Sequence, residues 1–223
     1  SNEPSGPPAE KPDRADDAPT VKRYNRPVFW RRHLLPEPLL GQARAAASLA
    51  EAAALFFRSP SDANAFAAAE ESKAARLDYS RALPALKALS HPRRQDCLAL
   101  SRLLHDCAEE TGWAVEEAKR FEVEVDASLS AMAASLRDAV SAIQAALTAL
   151  GERPLCEARL IEAKRGAGEV ERLHRGARAD SFDDPNAVSG LKAAAVARRR
   201  TQAAEAVSGA ADLLGELLLV ETA

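Results

Sequence analysis

The sequence predicts an all-α fold: a six-helix up-and-down bundle built as two three-helix bundles. Three observations carry this. Of 223 residues, 47% are hydrophobic but only 4% are aromatic. Alanine, the best helix former, supplies much of the difference. Apolar residues recur at three- and four-residue steps, the helical period, along six segments. Proline, glycine and Ser/Asp signals punctuate those segments closely enough that successive helices run antiparallel and form a bundle.

The first helix is expected over residues 36–57, with Leu39, Ala43, Ala46, Ala50, Ala53 and Phe57 on one face. Pro36 and Pro38 suit a first turn, where a missing N–H costs nothing, and Ser59-Pro60 stops the helix. A second helix opens at Ser61 or Asp62, both good N-caps, and carries Phe66, Ala69 and Leu77. Pro84 is expected to end it near Leu83, with a short helical piece resuming at residues 85–89. The third helix follows Pro92 and continues to about Phe121, with a stripe of Leu100, Leu103, Leu104, Cys107, Ala108, Thr111, Ala114, Val115 and Ala118. Its length, about 30 residues, exceeds the globular mean of about 12 and suggests a long rod.

Asp126 or Ser128 caps a fourth helix whose stripe is Leu129, Met132, Ala133, Leu136, Val140, Ile143, Leu147 and Leu150. Gly151 is placed for a left-handed C-cap. Pro154 opens the fifth helix, which carries Leu155, Ala158, Ile161, Ala163, Val170, Leu173 and Ala177. Gly166 and Gly168 interrupt it, implying a bend or a close helix contact. Residues 181–186 (SFDDPN) read as a loop before a sixth helix that runs to about Val220. Its packing side is Val188, Leu191, Ala195, Val207, Ala210, Leu214 and Leu217. The halves divide near residues 123–128.

Residues 1–27 read as a disordered tail ending in a basic arm, and 28–223 as one helical domain with halves 28–124 and 125–223. The stretch 21–33 (VKRYNRPVFWRRH) sets Lys22, Arg23, Arg26, Arg31 and Arg32 around Tyr24, Phe29 and Trp30. It reads as a linker whose aromatics pack on the bundle, or as an arm for an anionic partner or the inner membrane surface.

The net charge of -3, with both signs abundant, is not a nucleic-acid footprint. No apolar run approaches the ~20 residues of a membrane span, and no signal peptide is visible. Three cysteines, Cys97, Cys107 and Cys156, do not make a disulfide framework. Cys97 and Cys107 fall on the apolar side of the third helix and read as buried hydrophobes in a reducing cytoplasm. There is no Gly-rich phosphate loop, no Cys-x-x-Cys and no nucleophile elbow, so an enzyme of those classes is not expected.

Metal-ligand spacings are present. Glu171-Arg-Leu-His174 places two donors on one helical face, the spacing that di-iron carboxylate bundles use twice. His105 and Glu109 stand four apart. Glu70-Glu71 reads as a solvated face, and so does the run Arg198 to Arg200, whose members point ~100° apart and cannot converge on one ligand.

Residues 90–110 (SHPRRQDCLALSRLLHDCAEE) are the one stretch whose spacing resembles a known family, the PhoU-like phosphate-transport regulators. The resemblance is nearest to the variety that accompanies low-affinity phosphate permeases. That family carries a Thr-Pro-Phe turn, Asp-Arg-Glu-Asp, and an Asp-Asp pair with a third Asp. Here Ser90-His91-Pro92 takes the turn and Arg93-Arg94-Gln95-Asp96 keeps the final acid. His105-Asp106 falls on the pair and Glu109 on the third acid. Glu70 falls on the glutamate of a Glu-x-x-x-Asp motif whose aspartate position is Ala74. Residues 162–177 resemble the matching helix of the second half, with Ala167 at the glutamate position and Glu171 at the aspartate position. Asp184-Pro185 resembles the start of the last helix, where Arg198 or Arg199 and Gln202 replace acids before Glu205-Ala-Val.

The resemblance spans about residues 29–219. It implies two three-helix bundles, no catalysis, and acidic clusters able to hold a divalent metal or iron ion. The residues it would use here are Glu70, Asp106, Glu109 and Glu171. It implies a regulator or accessory protein of inorganic phosphate transport, cytoplasmic and peripheral to the inner membrane. Such a protein contacts a phosphate permease or phosphate-signalling protein and binds no nucleic acid; a homo-oligomer is compatible. The alternatives are a ferritin-like metal-binding bundle and a purely structural helical adaptor.

Overall fold

The computed structural model describes residues 35–91, 93–180 and 187–220. The basic arm, the loop 181–186 and Pro92 lie outside them. The described residues form six helices and no strand: α1 (Glu37–Arg58), α2 (Asp62–Lys87), α3 (Arg93–Arg120), α4 (Ala127–Thr148), α5 (Arg153–Asp180) and α6 (Ala187–Val220). Two caps are as the sequence implies. Ser61 Oγ accepts from Asn64 N at 3.2 Å, and Asp126 Oδ1 accepts from Leu129 N at 2.6 Å.

Packing places α1, α3, α6 and α4 in a ring. Helix α2 lies outside against α1 and α3, and α5 lies outside against α4 and α6. Although consecutive in sequence, α3 and α4 do not pack on each other, so residues 121–126 cross the end of the ring. Helix directions alternate. Lys119 near the end of α3 reaches Asp62 at the start of α2 at 3.0 Å, and Gln42 and Ser101 pair across the parallel α1 and α3. The ring encloses the core, in which Leu39, Leu49, Phe57, Leu100, Met132, Ile143, Val196 and Leu214 are buried.

The stripes expected on α3 and α4 are buried except for Leu103 and Leu150, which are half-buried. Four expectations are corrected. First, α2 continues through Pro84 to Lys87. An interior proline costs a helix about 3 kcal/mol. Ala82 and Leu86, both fully buried on either side of it, supply burial that offsets this. Second, the packing face of α2 is Ala65, Ala68, Ser72, Ala75, Ala82 and Leu86, while Phe66 (66% exposed) and Leu77 (48%) face outward. Small side chains let α2 lie close to its neighbours, and the bulky residues fall on the far side.

Third, part of the faces expected on α5 and α6 points outward, although Ala163, Val170, Val207, Ala210, Leu214 and Leu217 are buried as expected. Cys156, Leu160, Ala163, Ala167 and Val170 are buried, whereas Leu155, Ile161, Val188 and Leu191 are exposed. Fourth, Gly151 is not left-handed; no glycine among the described residues has positive φ. The left-handed residue is Glu122, φ 52°, beyond α3. There Val123 N donates to Ala118 O at 2.9 Å and Glu122 N to Lys119 O at 3.2 Å, a Schellman closure built without glycine.

Of the three α5 glycines, Gly166 marks a close contact. A Cβ there would lie 2.9 Å from Ala139 Cβ and 3.0 Å from Ser135 O of α4. A Cβ on Gly168 would meet nothing within 4 Å.

Candidate functional site

The three arginines at 198–200 on α6 have three different surroundings. Arg198 is exposed. Arg199 bridges to α3: Nη2 and Nε donate to Glu117 Oε1 at 2.8 and 3.0 Å, and Nη1 donates to Glu110 Oε2 at 3.1 Å. Those bonds to Glu117 and then Glu110 hold its guanidinium above its ordinary range. Arg200 is buried at 1% exposure among the ring helices.

Arg200 is the charged residue of the core. Its Nη1 donates to Leu129 O on the first turn of α4, and its guanidinium carbon lies 3.4 Å from the Phe57 ring centroid on α1. Its Nη2 has no hydrogen-bond partner among the described residues. Burial pushes its pKa down to about 9, with Asp126 at the α4 cap opposing that shift, so the group is charged at neutral pH. A desolvated ion costs several kcal/mol, and a cation over an aromatic face recovers about 2 kcal/mol. Beside it lies a cavity of about 10 Å³ lined by Ala50, Ala53, Phe57, Thr111, Ala114, Ala133, Leu136 and Arg200. Reading the arginine run as a solvated face is therefore corrected for Arg199 and Arg200. A signal was present: Val196, Arg200, Ala203 and Val207 follow the helical period of the buried stripe.

The expected metal residues sit on other faces. On α2, Lys73 Nζ donates to Glu70 Oε1 at 2.6 Å. Glu109 on α3 accepts from Arg76 Nε of α2 at 2.5 Å and from Arg76 Nη2 at 3.3 Å. Asp106 is exposed, and the neighbouring His105 stacks on Tyr79 with ring centroids 3.9 Å apart. Glu171 and His174 are half-buried on α5. The lysine and arginine on Glu70 and Glu109 occupy the places where a cation would bring positive charge. Among the described residues, no three His, Cys, Asp or Glu side chains form a group that could hold a metal ion.

All three cysteines are buried and free. Burial raises their thiols to about 11 for Cys97 and Cys156 and about 12 for Cys107. They are thiols, not thiolates, at neutral pH, which suits packing rather than nucleophilic work.

A concave surface lies between α5 and α6. It is a groove of about 610 Å³ with Leu160, Ala211 and Leu218 in its floor and the exposed Ile161 and Leu219 along it. Glu157, Asp212 and Glu216 line it against a single cation, Lys164. Lys164 is held by Asp212 Oδ2 at 2.7 Å and Ser208 Oγ at 2.9 Å. Ile161 was expected on the packing face of the fifth helix, not in a groove. No helix among the described residues is long and apolar enough to cross a membrane. No protein-family model matches the chain, and no curated protein matches its sequence.

Proposed function

We propose that the protein acts by contact, as a non-enzymatic regulator or accessory protein of inorganic phosphate transport. The observation that carries the contact role is the α5/α6 groove: apolar along its length, acidic at its edges, and with its one lysine already neutralised. Such a surface suits a basic segment with one or two large apolar side chains. The cytoplasmic loops of a permease have that chemistry, because Lys and Arg concentrate on that side of the membrane.

The phosphate assignment rests on the resemblance of residues 90–110 to the PhoU-like regulators. In its support, α1 with α3 and α4 with α6 each close a triangle with the helix outside them, as two three-helix bundles would, while α3 with α6 and α1 with α4 join the halves around one core. The partner is a phosphate permease or phosphate-signalling protein. The place of action is the cytoplasmic face of the inner membrane, with the basic arm at residues 21–33 against anionic headgroups.

The test is co-purification of the full chain with its partners from cells grown on limiting phosphate. A phosphate permease or phosphate-signalling protein is expected in the complex. Its absence, together with neighbouring genes unrelated to phosphate, would refute the reading.

A further inference from the structure

The α5/α6 groove has a complementary segment in its own chain. Its lining sets Glu157, Asp212 and Glu216 against Lys164, and its exposed apolar side chains are Ile161 and Leu219. Asp212 is held by Lys164, and Glu157 accepts from Arg153 Nε at 2.6 Å. Glu216 is exposed and forms no ion pair among the described residues, which leaves it to an incoming cation. The stretch 21–33 carries Lys22, Arg23, Arg26, Arg31 and Arg32 and no acid, with Phe29 and Trp30 among them.

That stretch lies outside the described residues, and the described chain begins at Leu35. Three contacts place Leu35 and the groove at the same end of the bundle. Gln42 and Ser101 pair the start of α1 with the first half of α3. A Cβ on Gly209 would lie 3.2 Å from Leu103 Cδ2, which sets the last part of α6 beside that same part of α3. Lys164 and Asp212 set the first half of α5 beside the last part of α6. From α1 to the groove is two helix spacings, about 16–20 Å. Extended chain from Phe29 to Leu35 reaches about 20 Å, and from Tyr24 about 36 Å. Tethered in this way, the segment meets the groove at an effective concentration of about 1 mM, above that of a second copy in dilute solution.

We propose that residues 21–33 of the same chain occupy the α5/α6 groove when no partner is bound. Phe29 and Trp30 cover Ile161 and Leu219, and the flanking basic side chains meet Glu216 and Glu157. The contact is autoinhibitory. It rests on the reading of this groove as the partner surface, because a partner's basic segment enters only when the arm leaves. Anionic headgroups attract the same cations and favour its leaving.

The test is nuclear magnetic resonance of the full chain carrying a nitroxide on Asn25→Cys, with no partner present. At neutral pH the label selects that site, because Cys97, Cys107 and Cys156 are buried thiols. Loss of amide peak intensity is expected at Ile161, Lys164, Gly215 and Glu216. It is not expected at Ala85 and Lys87, which finish α2 at the same end of the bundle but on the far side of α1 and α3. Adding Glu216→Lys is expected to restore most of the lost intensity. No loss at the groove, equal losses there and at the end of α2, or losses unchanged by Glu216→Lys would overturn the proposal. So would losses in an isotope-enriched chain without nitroxide when it is mixed with the nitroxide-bearing chain, since they would assign the groove to a second copy. No permease takes part, so these outcomes leave the partner reading standing, and failed permease binding leaves these signals as they are.

Discussion

The guanidinium carbon of Arg200 lies over the ring of Phe57, 3.4 Å from its centroid, inside an otherwise mostly apolar core. This contact joins α6 to α1 across the ring, although the backbone Cα atoms of those two helices do not come within 8 Å of each other. It replaces a carboxylate as the arginine's main neighbour.

A double-mutant cycle measures that contact. Arg200→Met removes a buried charge and keeps most of the volume, so it is expected to stabilise the protein by about 1–4 kcal/mol. Phe57→Leu is expected to cost about 1–2 kcal/mol more in the unaltered chain than in Arg200→Met. Denaturant unfolding of the four proteins checks both. Additive effects would show that the ring does nothing for the cation.

Glu122→Gly is expected to stabilise the fold by about 0.5–1 kcal/mol. Glu122 holds φ 52° in the Schellman closure after α3, a conformation that costs an L-residue and not glycine. A shift of the urea midpoint at constant slope is the readout.

Gly166 and Gly168 of α5 should respond with opposite signs. Gly168→Ala is expected to stabilise by up to about 1 kcal/mol, since helix propensity rises and nothing is met within 4 Å. Gly166→Ala drives a methyl to 2.9 Å from Ala139 Cβ and 3.0 Å from the backbone oxygen of Ser135. Overpacking of this kind costs about 1–3 kcal/mol, which exceeds the propensity gain. Melting curves of the two variants separate the effects.

The thiols of Cys97, Cys107 and Cys156 are expected to be inert to a disulfide reagent at neutral pH in the native protein. All three are expected to react once it is unfolded. Burial raises each pKa to about 11–12, so the thiolate gains population only as pH approaches that range. Rapid native labelling at neutral pH would contradict this.

How much of this was legible depended on residue size. The leucine-rich stripes of α3 and α4 announce their buried faces because a large apolar residue stands at each turn. On α2 the buried face is mostly alanine and serine, and on α5 Cys156, Ala163 and Ala167 share it with Leu160 and Val170, so bulk alone also selects Phe66 and Ile161, which point outward. Pro84 was misread because propensity is local, whereas the burial of Leu86 that overrides it is tertiary. Arg200 was masked by its neighbours: three arginines in a row read as one charged face, although helical geometry sends each to a different place. The acids paired with Arg199, Glu110 and Glu117, lie more than 80 residues away in sequence, and only folding brings them near. The α5/α6 groove has no sequence signature because it belongs to two helices at once.

The most direct measurement of the central claim is binding of the full chain to a phosphate permease in membrane vesicles, comparing the unaltered protein with Ile161→Glu. Ile161 is 61% exposed in the groove, so the change leaves the core intact. Saturable binding by the unaltered chain, lost on Ile161→Glu at an unchanged melting temperature, is the predicted result. Binding that is absent, or equal in both proteins, would contradict the claim.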